Sequence, residues 1–361
     1  MESRGGDGHR AKILSCSGAP GAGAGAKASA RWVSARPATN LTMDATVTIV
    51  NYNTVDKLRD CLRSIAETTH GMALETIVVD NGSRDGSVDM VRREFPDVRL
   101  VATGENLGFG RAHNRAMALG TGRHFIVLNP DTVVEANTFR RLIAFMDETP
   151  DAGACGPTIK DASGEFAHSG HRDFTLMHVA ANAFNVRALL PSDAFLRKHF
   201  GRWLGKVHSA YHPHDALRQV DWIDGACLVV RRETYERVGG FDEKIFLNAE
   251  DWDWCYRIRE AGWKIYHVPD VALQHIMHQS KEQVYVPSFV AHYRSMLYLF
   301  RKHYGRASYL AVKGILLVAF VCRLFLATLE RLVPIRRRPA REAEAYRAVI
   351  VEALRYQPPV A

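Results

Sequence analysis

The chain has 361 residues, of which 47% are hydrophobic and 24% charged, as in a soluble globular protein with one large or two smaller domains. The net charge of +8 belongs to the tail, since residues 301–361 hold 12 Lys and Arg against 4 Asp and Glu, and the other residues carry 35 of each sign. This distribution argues against a nucleic-acid-binding protein and indicates a basic tail. Six cysteines without Cys-x-x-Cys spacing argue against a zinc site or a disulfide framework and favour a reducing compartment.

Residues 1–42 are rich in Gly, Ala, Ser and Arg and contain no apolar run long enough for a signal peptide. This composition predicts a disordered extension, because it offers little apolar surface to bury. Met43 directly precedes the first strand pattern, so we expect translation to begin there.

From residue 46 onward, short β-branched runs alternate with segments of helical periodicity. Strands are predicted at 46–50, 76–79, 98–101, 125–128 and 152–155, and helices after Thr54, from Ser87, at 108–119 and at 138–146. This alternation predicts an α/β fold with a mostly parallel sheet and flanking helices. Residues 157–220 contain seven histidines and lack clean periodicity, which suggests a loop-rich insertion over one rim of the sheet.

Polar side chains follow three of the predicted strands at the point where each strand ends. Asn51 and Asn53 follow the first strand, Asp80 follows the second, and Asn129-Pro130-Asp131 ends the fourth. Each group alone could be an ordinary turn, because all of these residues favour turns. Open α/β sheets bind ligands at the carboxyl ends of their strands, so the convergence predicts a binding site.

Beyond the insertion, the pattern predicts a strand at 220–230, a short helix closed by Gly239, a helix over about 248–261 and a strand at 264–268. The longer helix has three acidic residues in its first turn, Glu250, Asp251 and Asp253. They either complement the helix dipole or form part of a site.

Together these motifs resemble glycosyltransferase family 2, which has the GT-A fold, over residues 46–280. The subgroup that the chain resembles most is the rhamnosyltransferase-like one, whose members build bacterial surface polysaccharides. The motifs are Val-Asn-Tyr-Asn at 50–53, Asp-Asn-Gly-Ser at 80–83, Asn-Leu-Gly-Phe-Gly at 106–110, Leu-Asn-Pro-Asp at 128–131, Gly-Ala at 225–226, Gly-Gly-Phe-Asp at 239–242 and Glu-Asp at 250–251.

The resemblance implies a nucleotide-diphosphate sugar donor and a Mg²⁺ or Mn²⁺ cofactor, since a departing diphosphate needs a hard cation. Asp131 matches the last aspartate of the family's Asp-x-Asp metal motif, and His275 matches a histidine expected to complete the shell. Asn129 replaces the first aspartate and is expected to contact the nucleotide or its ribose. Asp80 is expected to accept the N3–H of uracil or thymine. The remaining donor-side candidates are Asn51, Asn53, Asn106, Gly108 and Arg111, although a solvated surface charge is the more common role for a single arginine such as Arg111.

The resemblance also implies that Asp251 is the base of an inverting transfer, deprotonating the acceptor hydroxyl. The like charges of Glu250 and Asp253 tend to raise its pKa, and the helix N-terminus opposes them. Trp252 could stack on a sugar or fill the core, and Asp224 stands where many relatives carry serine. The acceptor-side candidates are Asp224, Gly225, Ala226, Glu250 and Trp252.

The C-terminal region 291–361 is predicted to be a helical tail that contacts the membrane through residues 305–341. Its apolar stretch, 309–333, is interrupted by Lys313 and Arg323. We therefore favour a helix lying in the interface, with Arg336 to Arg338 and Arg341 meeting anionic lipid, over a tilted span. A soluble helix that forms a homodimer is the third alternative.

The sequence thus predicts an extension at 1–42, a GT-A domain at 43–290 and a tail at 291–361. The predicted activity is transfer of rhamnose from dTDP-rhamnose to a lipid-linked or polysaccharide acceptor at the cytoplasmic face of the membrane. A UDP-sugar donor and a catalytically dead sugar-nucleotide-binding protein remain alternatives. A Rossmann oxidoreductase is disfavoured because Gly-x-Gly-x-x-Gly does not follow the first strand.

Overall fold

A computed structural model describes residues 43–167, 169–186, 198–199, 216–276, 285–330 and 340–359. The predicted extension 1–42 lies outside these residues, as do Arg336 to Arg338 and most of residues 187–215.

The first half of the described chain alternates strands and helices as the sequence predicts. Its elements are β1 (Ala45–Asn51), α1 (Val55–Thr68), β2 (Leu74–Asp80), α2 (Ser87–Glu94), β3 (Arg99–Ala102), α3 (Phe109–Leu119), β4 (His124–Leu128), β5 (Thr132–Val134), α4 (Thr138–Glu148) and β6 (Ala152–Lys160). The apolar side chains that predicted α1 are buried: Leu58, Cys61, Leu62 and Ile65. Thr54 is the N-cap residue of α1, but its side chain makes no capping hydrogen bond, because its hydroxyl donates to Asn51 Oδ1.

The second half is divided into more and shorter strands than the sequence pattern predicts. Its elements are β7 (Phe166–Ala167), β8 (Gly170–His171), α5 (Leu176–Ala183), β9 (Arg218–Val220), β10 (Trp222–Ile223), β11 (Cys227–Arg231), α6 (Arg232–Val238), α7 (Glu250–Glu260), β12 (Lys264–His275), α8 (Tyr285–Glu330) and α9 (Ala340–Arg355). The single strand predicted at 220–230 is therefore three short strands, and the start of the supposed insertion continues β6 to Lys160.

The main sheet has the order β3-β2-β1-β4-β11-β6-β12-β5. Strands β3, β2, β1 and β4 are parallel, whereas β11 runs antiparallel to both of its neighbours, β4 and β6. The α/β class with flanking helices is confirmed, and the sheet is mixed rather than parallel beyond β4. The register pairs Asn51 with Asp80 and Ile49 with Leu128, which brings the carboxyl ends of β1, β2 and β4 to one rim.

Helix α8 is interrupted at Gly305, whose φ of 83° lies in the left-handed region that glycine tolerates. The two halves fold back on each other as a hairpin, with the rings of Tyr293 and Phe320 4.9 Å apart. Helix α9 packs on the same hairpin, where Tyr346 lies 5.6 Å from Phe320. The domain boundary predicted between 290 and 291 falls inside α8, and the buried residues of this helix share one core cluster with β4, β11 and α7.

Candidate active site

The ends of β1 and β2 form a rigid polar cluster around Asp80. The Asn51 amide donates to Asp80 Oδ2 over 2.8 Å, and the Ser83 backbone N–H donates to Asp80 Oδ1 over 2.9 Å. Asn51 is fully buried, so this geometry favours a role in positioning Asp80 over direct contact with a ligand. Asp80 is 2% exposed, and a base N3–H would have to reach a remaining lone pair of an already bonded carboxylate.

Asn53 lies at the exposed edge of this cluster. Its φ of 53° is in the left-handed region, which asparagine tolerates better than most residues. Its backbone N–H donates to Ser83 Oγ, and its side-chain oxygen accepts from the Arg84 N–H over 2.8 Å. The β1 and β2 loops are thus fixed to each other before any ligand is bound.

Asn106 and Gly108 shape the turn into α3 on the same side of the sheet. The Asn106 side-chain oxygen accepts from the Gly108 N–H over 2.9 Å, and Asn81 donates to the Gly108 carbonyl. Gly108 has a φ of 83°, and a Cβ there would lie 2.5 Å from the Phe246 carbonyl oxygen. Only glycine fits this close approach without displacing Phe246.

Arg111 forms a surface ion pair with Glu243, with 3.3 Å between nitrogen and oxygen. Both side chains are about half exposed. Of the two alternatives for Arg111, this geometry favours the surface charge over a donor contact.

The predicted metal pair is brought together across 144 residues. His275 Nε2 lies 2.9 Å from Asp131 Oδ1, because β12 pairs with β5 and the Ile276 N–H donates to the Asp131 carbonyl. The Asn129 amide lies 3.4 Å from the same imidazole nitrogen. Within the described ranges no group of three or more His, Cys, Asp or Glu side chains could hold an ion. Both side chains are partly exposed, and a carboxylate oxygen beside an imidazole nitrogen is a donor set that fits a divalent cation.

The acidic pair at the start of α7 follows a strained turn. Asn248 and Ala249 have φ values of 70° and 67°, a region that costs a β-carbon-bearing residue such as alanine about 1–3 kcal/mol. Asp251 Oδ2 accepts from the Gly225 N–H over 2.9 Å, and its Oδ1 accepts from the Trp252 N–H over 2.8 Å. Such strain is typical of functional sites, where the surrounding structure holds it in place.

The surroundings raise the pKa values of Asp251 and Glu250 by different amounts. Burial, and then the nearby charge of Asp224, raises the pKa of Asp251 to about 6. Burial, and then the charge of Asp251, raises the pKa of Glu250 to about 8. Glu250 is 5% exposed, and its Oε2 has no hydrogen-bond partner among the described residues. Both pKa values are thus raised, and Glu250, the more strongly shifted of the two, holds its proton to higher pH than Asp251.

Asp253, the third acid of this turn, points away from the other two. It pairs with Arg257, Lys302 and His303 at 2.9, 2.6 and 2.8 Å. Its pKa lies well below the ordinary value, because the His303, Arg257 and Lys302 partners outweigh burial. Lys302 and His303 thus tie the tail to α7, which the sequence did not suggest.

The acceptor-side candidates divide into buried and accessible residues. Trp252 is fully buried and donates its indole N–H to Asp173, so of its two alternatives this geometry favours filling the core. Gly225 and Ala226 connect the two halves of the site, since Ala226 accepts from the Asn129 N–H while Gly225 donates to Asp251. Asp224 stays one-third exposed.

Sequence reasoning missed His171, which lies 2.9 Å from Asp224 Oδ2 and stacks on Trp222. The pairing of β8 with β10 places it there, and each of these strands is two residues long. No periodicity is readable over so short a run, so the sequence carried no signal for this contact.

The chain is similar to several known proteins. Residues 44–293 match the sequence profile of the family described as Glycosyltransferase like family 2. An N-acetylglucosaminyl-diphospho-decaprenol L-rhamnosyltransferase of Mycobacterium tuberculosis is 31% identical over 72% of this chain and 85% of its own length. Rhamnosyltransferase WbbL of Escherichia coli is 36% identical over 54% of this chain and 71% of its own. A mannosyltransferase of Pyrobaculum calidifontis, solved with GDP-Man and Mn²⁺, shares the fold with a TM-score of 0.51 and 18% identity over 87% of each chain.

Proposed function

The chain belongs to glycosyltransferase family 2, and from that premise we propose an inverting, metal-dependent transfer of a sugar from a nucleotide diphosphate to a lipid-linked acceptor. The Gly225-Ala226 peptide is the observation that supports this most strongly. It binds the Asp251 carboxylate on one side and the Asn129 backbone of the Asn-Pro-Asp turn on the other. The candidate base is thereby held beside the candidate metal and diphosphate site.

Each residue has a distinct task in this reaction. Asp251, whose pKa is raised to about 6 by burial, takes the proton of the acceptor hydroxyl as that oxygen attacks the donor sugar. Asp131 and His275 would hold the cation, which supplies charge stabilisation to the departing diphosphate. Asp80, fixed by Asn51 and Ser83, orients the nucleotide base.

We favour dTDP-rhamnose as the donor because two of the relatives are named rhamnosyltransferases. Asp80 itself does not distinguish thymine from uracil, since both present an N3–H, so a UDP-sugar is the alternative donor. A non-catalytic binding protein is disfavoured because relatives that the chain matches over most of their length are named as transferases.

The tail supports membrane association through the second half of α8. By length and composition, Tyr285–Leu329 is one helix apolar enough to cross a membrane. The solvent-facing side of α8 is apolar from Leu310 onward. The two charged residues that interrupt the apolar stretch, Lys313 and Arg323, are turned towards α9. Lys313 donates to the Leu354 carbonyl and Arg323 donates to Tyr346. The exposed large apolar residues are Leu310, Val318, Val321, Phe325, Leu326 and Leu329.

We infer that this hairpin lies on the membrane rather than spanning it. The inner face of the apolar half packs against the first half of α8 and against α9, so a span would carry both partners into the hydrocarbon. Arg341, Glu344 and Arg347 are exposed on α9, and such charges are costly there. A location at the cytoplasmic face agrees with the free cysteines among the described residues and with a nucleotide-sugar donor.

A donor screen tests the proposed activity. The full chain is incubated with dTDP-rhamnose, UDP-N-acetylglucosamine or UDP-galactose, with Mg²⁺ or Mn²⁺, and with polyprenyl-diphosphate-linked acceptors. We expect metal-dependent release of dTDP coupled to formation of a glycosylated lipid. If no donor is consumed with any acceptor, the enzyme proposal fails.

A further inference from the structure

The β8–β10 ribbon places an ionisable pair beside the candidate base. His171 pairs with Trp222 across the ribbon, and the Asp224 N–H donates to the Ser169 carbonyl over 3.1 Å. These contacts hold His171 Nε2 2.9 Å from Asp224 Oδ2. The imidazole is further fixed by stacking on Trp222, with ring centroids 4.1 Å apart and planes 19° from parallel. The pair is thus built into the backbone rather than formed by two mobile surface side chains.

A single peptide connects this pair to Asp251. Asp224 directly precedes Gly225, whose N–H donates to Asp251 Oδ2 over 2.9 Å. The charge of Asp224 raises the pKa of Asp251, and a positive charge on His171 lowers it. Among the described residues, Glu250 and Cys255 on its own helix also bear on Asp251, and burial raises the pKa of both. The Asp224–His171 pair faces the same carboxylate across the Gly225 peptide.

We propose that His171 and Asp224 act as positioning residues that set the charge state in which Asp251 meets the acceptor hydroxyl. This role rests on the proposed transferase function. A lone Asp224 carboxylate would favour the protonated and inactive form of Asp251. When Asp224 is neutralised by the imidazole, Asp251 stays ionised to lower pH.

The two members of the pair should move the Asp251 titration in opposite directions. We would follow it by ¹³C NMR of the full chain labelled at aspartate carboxyls, with the Asp251 signal assigned by its loss in Asp251→Asn. Asp224→Asn should lower the midpoint and His171→Gln should raise it, each by about half to one pH unit. Asp89→Asn, at an exposed carboxylate on α2, is the matched control and should leave the midpoint unchanged.

The acidic limb of kcat/KM should move with the same sign in each variant. The proposal is overturned if both variants shift the Asp251 midpoint in the same direction. It is also overturned if the variants lower thermal stability without shifting that midpoint, because the pair would then have only a structural role. The NMR measurement does not require turnover. If the midpoints shift as expected but no protein transfers sugar, the inference that His171 and Asp224 set the pKa of Asp251 stands. The proposed function then fails.

Discussion

Replacing Glu250 by glutamine, which removes its carboxyl group, should raise the free energy of unfolding at neutral pH. Glu250 is 5% exposed, and burial followed by the charge of Asp251 raises its pKa from 4.5 to about 8. The folded state therefore keeps a proton that the unfolded chain releases. This raised pKa contributes stability that is present below about pH 4.5 and is lost as the pH rises towards 8.

The size of the effect follows from the same two pKa values. At pH 7 the penalty for keeping Glu250 protonated is at most about 3 kcal/mol, and at pH 5 it is below about 1 kcal/mol. Glutamine has the same shape and carries no such penalty. Glu250→Gln should thus raise the free energy of unfolding in urea by up to that amount at pH 7 and by much less at pH 5.

A matched control separates this effect from a general charge effect. Glu148→Gln removes an exposed carboxylate at the end of α4 and should change the free energy of unfolding by less than about 0.5 kcal/mol at either pH. An equal gain at both pH values would show that folding does not raise the pKa of Glu250. A loss at pH 7 would show that Glu250 is ionised and paired in the folded protein.

Three further changes test other parts of the account. His275→Ala should weaken Mn²⁺ binding in the presence of dTDP by about 10-fold or more, measured by electron paramagnetic resonance, and unchanged affinity would remove His275 from the metal site. Val321→Glu with Phe325→Glu should release the chain from anionic vesicles in a flotation assay, whereas Phe166→Glu, exposed on β7, should not. Gly108→Ala should lower the free energy of unfolding by about 2 kcal/mol or more, because its Cβ would meet the Phe246 carbonyl; an unchanged urea midpoint would contradict that contact.

The donor-side half of the fold could be predicted from the sequence because hydrophobic pattern and turn residues indicate the same strand ends there. Each of β1, β2 and β4 is an apolar run that ends in Asn or Asp, so both the strand and its functional end can be seen in the sequence. The parallel register then follows from the βαβ connections, and it places Asn51 directly opposite Asp80. The burial of Asn51 could not be foreseen, because it depends on Ser83 and Thr54 closing over the amide.

The acceptor-side half depends on contacts between distant residues. The two-residue strands β8 and β10 exist only as partners of each other, and no local pattern encodes such a pair. Trp252 is indistinguishable in sequence from a sugar-stacking residue until Asp173 is seen to bind its indole. The hairpin at Gly305 is similar, because a lone glycine in an apolar helix indicates a turn only once Tyr293 is found against Phe320.

The central claim is that Asp251 is the base of a glycosyl transfer. It is tested most directly by comparing lipid glycosylation by the wild-type chain and by Asp251→Asn, with the donor that the screen selects and with nucleotide affinity measured in parallel. We predict that Asp251→Asn lowers kcat by about 100-fold or more and leaves nucleotide affinity unchanged, since the Asp80 cluster and the metal pair are intact. Undiminished transfer by Asp251→Asn would contradict the account.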